Sequence, residues 1–198
     1  MRNYDLVKTA ANGGPEHGLI SPAWYQTPVD RQVMKKLLMR QDARPLRDIL
    51  LYYLVMAFCA GAAIMLMPSW GAIPFWLIYG VLYTSGSDAR WHECGHGTAF
   101  KTAYLNKFFY SLACFMIMRN PVTWKWSHAR HHTDTLLVGR DAEIAVMMPP
   151  AALRLILNFI GLPDIMDSLK RMAGHIVGRL HPDEALYVPE YAQRRTFL

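Results

Sequence analysis

From Ile49 to Ser87 the chain carries no Lys, Arg, Asp or Glu. A helix from Ile49 to Met67, rising ~1.5 Å per residue, covers roughly 29 Å, which matches a bilayer hydrocarbon core of about 30 Å. Pro68, Ser69, Trp70 and Gly71 then form a tight turn, with Trp70 suited to a membrane interface. A second apolar run begins at Ala72 and reaches about Ser87. It is short for a span if it stops there, so it reads as one helix that continues past Asp88 and Arg90. The expected fold is all-α: an integral membrane hairpin over residues 49–87, with cytoplasmic or interfacial helices around it. An N-terminal segment, 1–47, precedes the domain at 48–198.

Basic residues orient the hairpin. Arg31, Lys35, Lys36, Arg40, Arg44 and Arg47 precede it, the turn after Met67 has none, and Lys and Arg return after Ser87. By the positive-inside rule both ends of the hairpin face the cytoplasm. The net charge of +6 is explained by these flanks, and no nucleic-acid motif accompanies it, so nucleic acid is not an expected partner. Cys59, Cys94 and Cys114 are odd in number and form no CxxC pair, which points to free thiols. Asp5 and Glu16, with no compact apolar core beside them, do not read as a cleaved signal peptide.

The rest of the chain is polar or amphipathic. The stretch ANGGPEHGLISP reads as a tail, and VMKKLLMR as a short helix lying either on the membrane or on the protein's own core. Leu105 to Met118 is apolar, too short to span, and contains Lys107. It reads as a re-entrant or interfacial helix that Asn120-Pro121 ends. Leu153 to Leu162 and Ile165 to Leu180 read as amphipathic helices separated by Gly161 and Pro163.

Five of the eight histidines fall in two short motifs, HECGH (92–96) and HARHH (128–132). On a helix His92 and His96 lie about 40° apart and one turn apart, so both imidazoles reach a common volume. His128, His131 and His132 likewise share one helix face. A lone histidine is usually structural, but two groups at ligand spacing outside a membrane hairpin point to metal. Imidazole suits Fe, Zn, Cu and Ni, so the donors alone do not name the ion. His17, His175 and His181 match no motif and read as surface residues.

HECGH fits the HExxH pattern of zinc peptidases and resembles the HExGH of intramembrane proteases. That reading makes Glu93 the general base and asks for a later Asp ligand before Gly. Asp134, Asp141, Asp164 and Asp167 are not followed by Gly, and HARHH is left without a role. Both motifs are used by another resemblance. The order HxxxH then HxxHH, placed after an apolar hairpin, resembles the first two histidine boxes of the membrane fatty acid desaturases, and the segment from His92 to Ile144 is similar to that family throughout.

The resemblance implies an O2-dependent oxidoreductase that puts a double bond into an acyl chain at a histidine-ligated di-iron centre. It assigns His92, His96, His128, His131 and His132 as iron ligands, with no catalytic residue beyond them. Zinc, lacking redox chemistry, would not serve. It implies a lipid or acyl-thioester substrate, an electron donor of ferredoxin or cytochrome type, and a multi-pass membrane protein with its boxes facing the cytoplasm. Related lipid and carotenoid hydroxylases share the pattern, and a non-catalytic metal-binding scaffold is a further reading. Around the ligands, Glu93 either supports one of them or faces water. Trp124 and Trp126 either line an acyl tunnel or anchor at the interface, and Asp141 either supports a ligand or caps a helix. Arg130 reads as solvated, and Gly95 as a point of close helix approach. The family's third box, HxxHH, does not occur in the sequence. The chain therefore reads as the N-terminal portion of such an enzyme, and five imidazoles do not complete two irons, so no desaturation by this polypeptide alone is expected.

Overall fold

The computed structural model of the chain describes residues 27–135, 141–143 and 152–197, the side chains of 154 and 158 excepted. The tail reading and His17 lie outside these residues. The described residues are helical, without strands. The chain divides into two compact units, Arg31–Pro121 and a second that joins Val122–Leu198 with Met1–Asp30.

The first unit opens with α1, Arg31–Leu37, a short helix exposed on all sides. Helix α2, Ala43–Met65, starts ahead of the charge-free run. Pro45 falls in its first turn, where a missing N–H leaves no helix bond unmade. Among the described residues α2 is the one helix long and apolar enough to cross a membrane, and only 17% of its apolar window is buried. Leu54, Phe58, Ile64 and Met65 face outward. A core helix of a water-soluble fold would hide such residues, whereas a bilayer accepts them.

A turn through Met67-Pro68, a cis peptide, reverses the chain. Three helical segments then run on without a break: α3, Ala72–Val81, a π-helical turn, Leu82–Gly86, and α4, Ser87–Gly95. The second apolar run thus does continue as helix into HECGH. The sequence explains the wide turn. Thr84 Oγ1 bonds Gly80 O at 2.9 Å and Ser85 Oγ bonds Val81 O at 2.6 Å, so hydroxyls compete for helix carbonyls. Tyr52 of α2 donates to Leu82 O at 2.6 Å. Gly86 has no Cβ because one would lie 2.2 Å from the Tyr52 ring. π turns of this kind recur beside functional residues, and this one sets the rotational phase at which α4 presents His92 and His96.

Helix α5, Ala103–Met116, packs on α4. Ile49, Cys94, Phe100 and Phe109 form the buried core there, with the Phe100 and Phe109 rings stacked at 5.2 Å. Gly95 lets Tyr110 of α5 approach, since a Cβ would sit 3.2 Å from its ring.

The second unit contains most of α6, Pro121–Asp134. Proline at its first position needs no donor, so Asn120-Pro121 both separates α5 from α6 and starts the new helix. After it come α7, Ala152–Phe159, α8, Leu162–Ile176, and two short helices, α9, Pro182–Ala185, and α10, Glu190–Gln193. Pro163 lies inside the first turn of α8 rather than outside the helix, for the same reason as Pro121. Gly161, at φ 72°, makes the bend.

His175 is not a surface residue. It is 7% exposed, and its Nε2 lies 2.8 Å from the Glu184 carboxylate, itself 2% exposed. Glu184 also accepts from His181 N at 3.0 Å, while His181 Nδ1 accepts from Asp183 N at 3.3 Å. The imidazole replaces the usual Ser or Thr of a capping box, which is why the sequence gives no cap signal here.

Candidate metal centre

In the first unit HECGH occupies the last turn and a half of α4. Burial alternates along it. Trp91 and Cys94 point into the protein, while His92 and His96 are exposed with ring centroids 4.9 Å apart. Burial also pushes the Cys94 thiol up to about 11, so it offers no thiolate. The helix stops at Gly97, at φ 66°. Gly97 N bonds Cys94 O at 3.0 Å and Thr98 N bonds Glu93 O at 3.1 Å, a Schellman ending that the left-handed glycine makes possible.

The loop after this ending is tied down from two sides. Arg40 donates to Gly97 O at 2.7 Å. Asp42, just before α2, accepts from Thr102 N at 2.9 Å and Thr102 Oγ1 at 2.8 Å. Those backbone and side-chain bonds lower the Asp42 pKa from its ordinary 3.8. From α5, buried Asn106 reaches back to this loop, accepting from Phe100 N at 3.0 Å and donating to Phe100 O at 2.8 Å. Glu93 pairs with Arg90 at 2.9 Å and is about half exposed.

In the second unit α6 carries HARHH. Its three histidines gather on one face, with ring centroids 4.6 Å apart for His128 and His132 and 6.0 Å for His128 and His131. Two are backed by carboxylates. His128 Nδ1 lies 3.1 Å from both oxygens of Glu143, and His131 Nδ1 lies 3.0 Å from both oxygens of Asp141. A carboxylate accepts, so each imidazole carries a proton on Nδ1, and in its neutral form presents the Nε2 lone pair. Asp141 Oδ1 also accepts from Glu143 N at 2.9 Å, which holds the two acids together beside α6. Glu143 escapes the sequence reading. Its signal is the D-x-E spacing of 141–143 after the cluster, faint by itself.

His132 Nε2 lies 3.1 Å from His128 Nε2. Neighbouring donors on one ion, each at ~2.1 Å, stand about 3.0–3.4 Å apart. The donor set, imidazoles with oriented Nε2 atoms and carboxylates behind two of them, therefore fits a transition-metal cation. Of the other expected residues, Arg130 keeps 38% of its side chain exposed and pairs with buried Asp134 at 2.7 Å. Trp126 meets the Tyr191 ring edge-on at 6.0 Å, and Trp124 is half-buried on α6.

Histidine motifs on helices that follow an apolar hairpin define a class, the histidine-box membrane proteins. Residues 68–182, more than half of the chain, match the family model described as fatty acid desaturase. The chain belongs to the fatty acid desaturase family. Since the matched segment contains both motifs, HECGH is read together with HARHH and not as a peptidase signature. The chain is also 29% identical over 132 residues to the sn-1 acyl-lipid omega-3 desaturase (ferredoxin) of Synechocystis sp., an alignment covering 64% of this chain and 36% of that protein. The chain thus spans little more than a third of that relative. No solved structure matches it.

Proposed function

We propose that this chain supplies part of the iron site of an O2-dependent acyl desaturase, with His92, His96, His128, His131 and His132 as ligands. The observation that carries the reading is the pair of carboxylate-backed imidazoles, His131 with Asp141 and His128 with Glu143, inside a segment of this family. Bound iron supplies the redox chemistry, with O2 and two electrons, that removal of hydrogen from an unactivated methylene requires.

The chain's own residues do the holding. Asp141 and Glu143 keep the proton of His131 and His128 on Nδ1, fix the ring planes, and raise the donor strength of Nε2. The Schellman ending at Gly97 and the Arg40 bond hold the His92–His96 end of α4 in place. Helix α2 and the run from α3 into the π turn form the membrane hairpin, with the boxes on the cytoplasmic side. By analogy with the relative's name, the substrate is an acyl chain on a lipid and the donor is of ferredoxin type. The donor count leaves two irons incomplete, so the 198-residue polypeptide does not desaturate by itself.

The test is metal content and donor dependence in the purified, membrane-reconstituted chain. Iron in preference to zinc is expected, with loss of iron in His131→Ala as in His92→Ala. Zinc retention in which His131→Ala changes nothing would sink the reading and favour a two-histidine zinc site.

A further inference from the structure

Helix α8 is built inside out for a water-soluble protein. At ~100° per residue, Leu162, Ile165, Met166, Leu169, Met172 and Ile176 fall in one sector of about 120°. All are exposed, Ile176 to 84%. The residues of α8 that turn into the protein come from the opposite, polar sector, whose Asp164 and Asp167 stay exposed. Arg171 and His175 point there and meet Glu184 of α9, at 3.9 Å and 2.8 Å. A helix dissolved in water buries the apolar stripe and wets the polar one. Here the inward contacts are made by Arg171 and His175 of the polar side, so the apolar stripe is available to something outside the unit.

Apolar exposure is not confined to α8. On α7, across the bend at Gly161, Leu153, Ile156 and Phe159 are exposed as well, Phe159 to 93%. Lys170 sits beside the stripe and Arg179 follows its end, both exposed. From Ala152 to Arg179 the basic residues are Arg154, Lys170, Arg171 and Arg179, and the acidic ones are Asp164 and Asp167. The segment is net positive. Long basic side chains flanking an apolar face reach lipid phosphates while their stems stay on the hydrocarbon side.

We infer that α7 and α8 lie flat in the membrane interface, their exposed apolar residues sunk among the lipid chains of an anionic bilayer surface. This is a second membrane contact, beyond the hairpin, and it does not depend on the metal reading. Two observations favour a bilayer over a second copy of the chain. The exposed apolar surface carries a flanking positive charge, which suits a broad anionic surface and gives a like-charged copy no complement. The chain also carries α2, whose outward apolar residues already call for a bilayer.

The test uses the full chain in phosphatidylcholine–phosphatidylglycerol vesicles. The native cysteines are all buried, so a thiol-reactive spin label reports chiefly on introduced sites, with the unsubstituted chain as background. Labels at Phe159→Cys and Ile176→Cys are expected to collide several-fold more often with O2, which partitions into lipid, than with a water-soluble nickel chelate. Asp164→Cys, on the polar side of α8, is expected to show the reverse. Phe58→Cys on α2 reports the span itself, so failed insertion is distinguished from failed docking of α8. Equal access of the chelate to positions 159, 176 and 164 overturns the inference. So does shielding of 159 and 176 from both colliders with dipolar broadening between labels, the mark of a second copy.

Discussion

Replacing Asp141 by Asn isolates the charge behind one ligand. The side chain keeps its shape, and one oxygen still accepts from Glu143 N, now 2.9 Å away. What changes is the face toward His131. Both carboxylate oxygens stand 3.0 Å from Nδ1, so an amide group puts either a weaker acceptor or an N–H donor there. A donor facing Nδ1–H favours the other tautomer, with the proton on Nε2, and that nitrogen then has no lone pair for a metal. Hydrogen bonds to charged groups contribute about 1.5–3 kcal/mol, against about 0.5–1.5 for neutral pairs. The difference of about 1–1.5 kcal/mol is roughly a tenfold change, at the lower end of the 10–100-fold loss common when such supporting partners are changed. The assay is competition for Fe(II) between the reconstituted chain and a chelator of known affinity, with helicity checked by circular dichroism. Glu143→Gln is expected to weaken binding less, since the Glu143 side chain is 16% exposed and that of Asp141 only 1%. An unchanged iron affinity in Asp141→Asn, in a protein where His131→Ala loses iron, would refute the reasoning.

Other expectations are structural. Gly86→Ala places a Cβ against the Tyr52 ring and is expected to cost about 1–3 kcal/mol, read as a lower midpoint of thermal unfolding in detergent; an unchanged midpoint would count against the π turn's tight seat. Asn106→Leu leaves the buried Phe100 N–H and C=O without their partner and is expected to destabilise by about 2–4 kcal/mol, measured by the same melt. Asp42 should titrate below 3.8 in the folded chain. Its folded pKa is the lower one, so its contribution to stability is full above the ordinary value and disappears as pH falls through the folded value. Carboxyl NMR gives the midpoint, and one at or above 3.8 contradicts the Thr102 bonds.

Much of this architecture is legible in the sequence because it rests on strong local signals. The absence of charge from Ile49 to Ser87 and the spacings HxxxH and HxxHH depend only on which residues follow one another. The family match covers the same segment. What escapes depends on contacts between distant residues. His175 looks like a surface residue until Glu184 is folded against it. Glu143 gains meaning only when the chain after α6 turns back onto His128. The π turn is invisible because Thr84, Ser85 and Gly86 are ordinary in an apolar run; only the Tyr52 ring opposite makes their smallness necessary.

The bonds from Arg40 to Gly97 and from Asp42 to Thr102 join the start of α2 to the loop that ends the HECGH helix. Membranes differ in thickness, and a long apolar helix meets a thinner one by tilting. For α2 in a bilayer, a fastened end makes a pivot: a tilt is expected to displace the far end near Met65 more than the loop that follows His96.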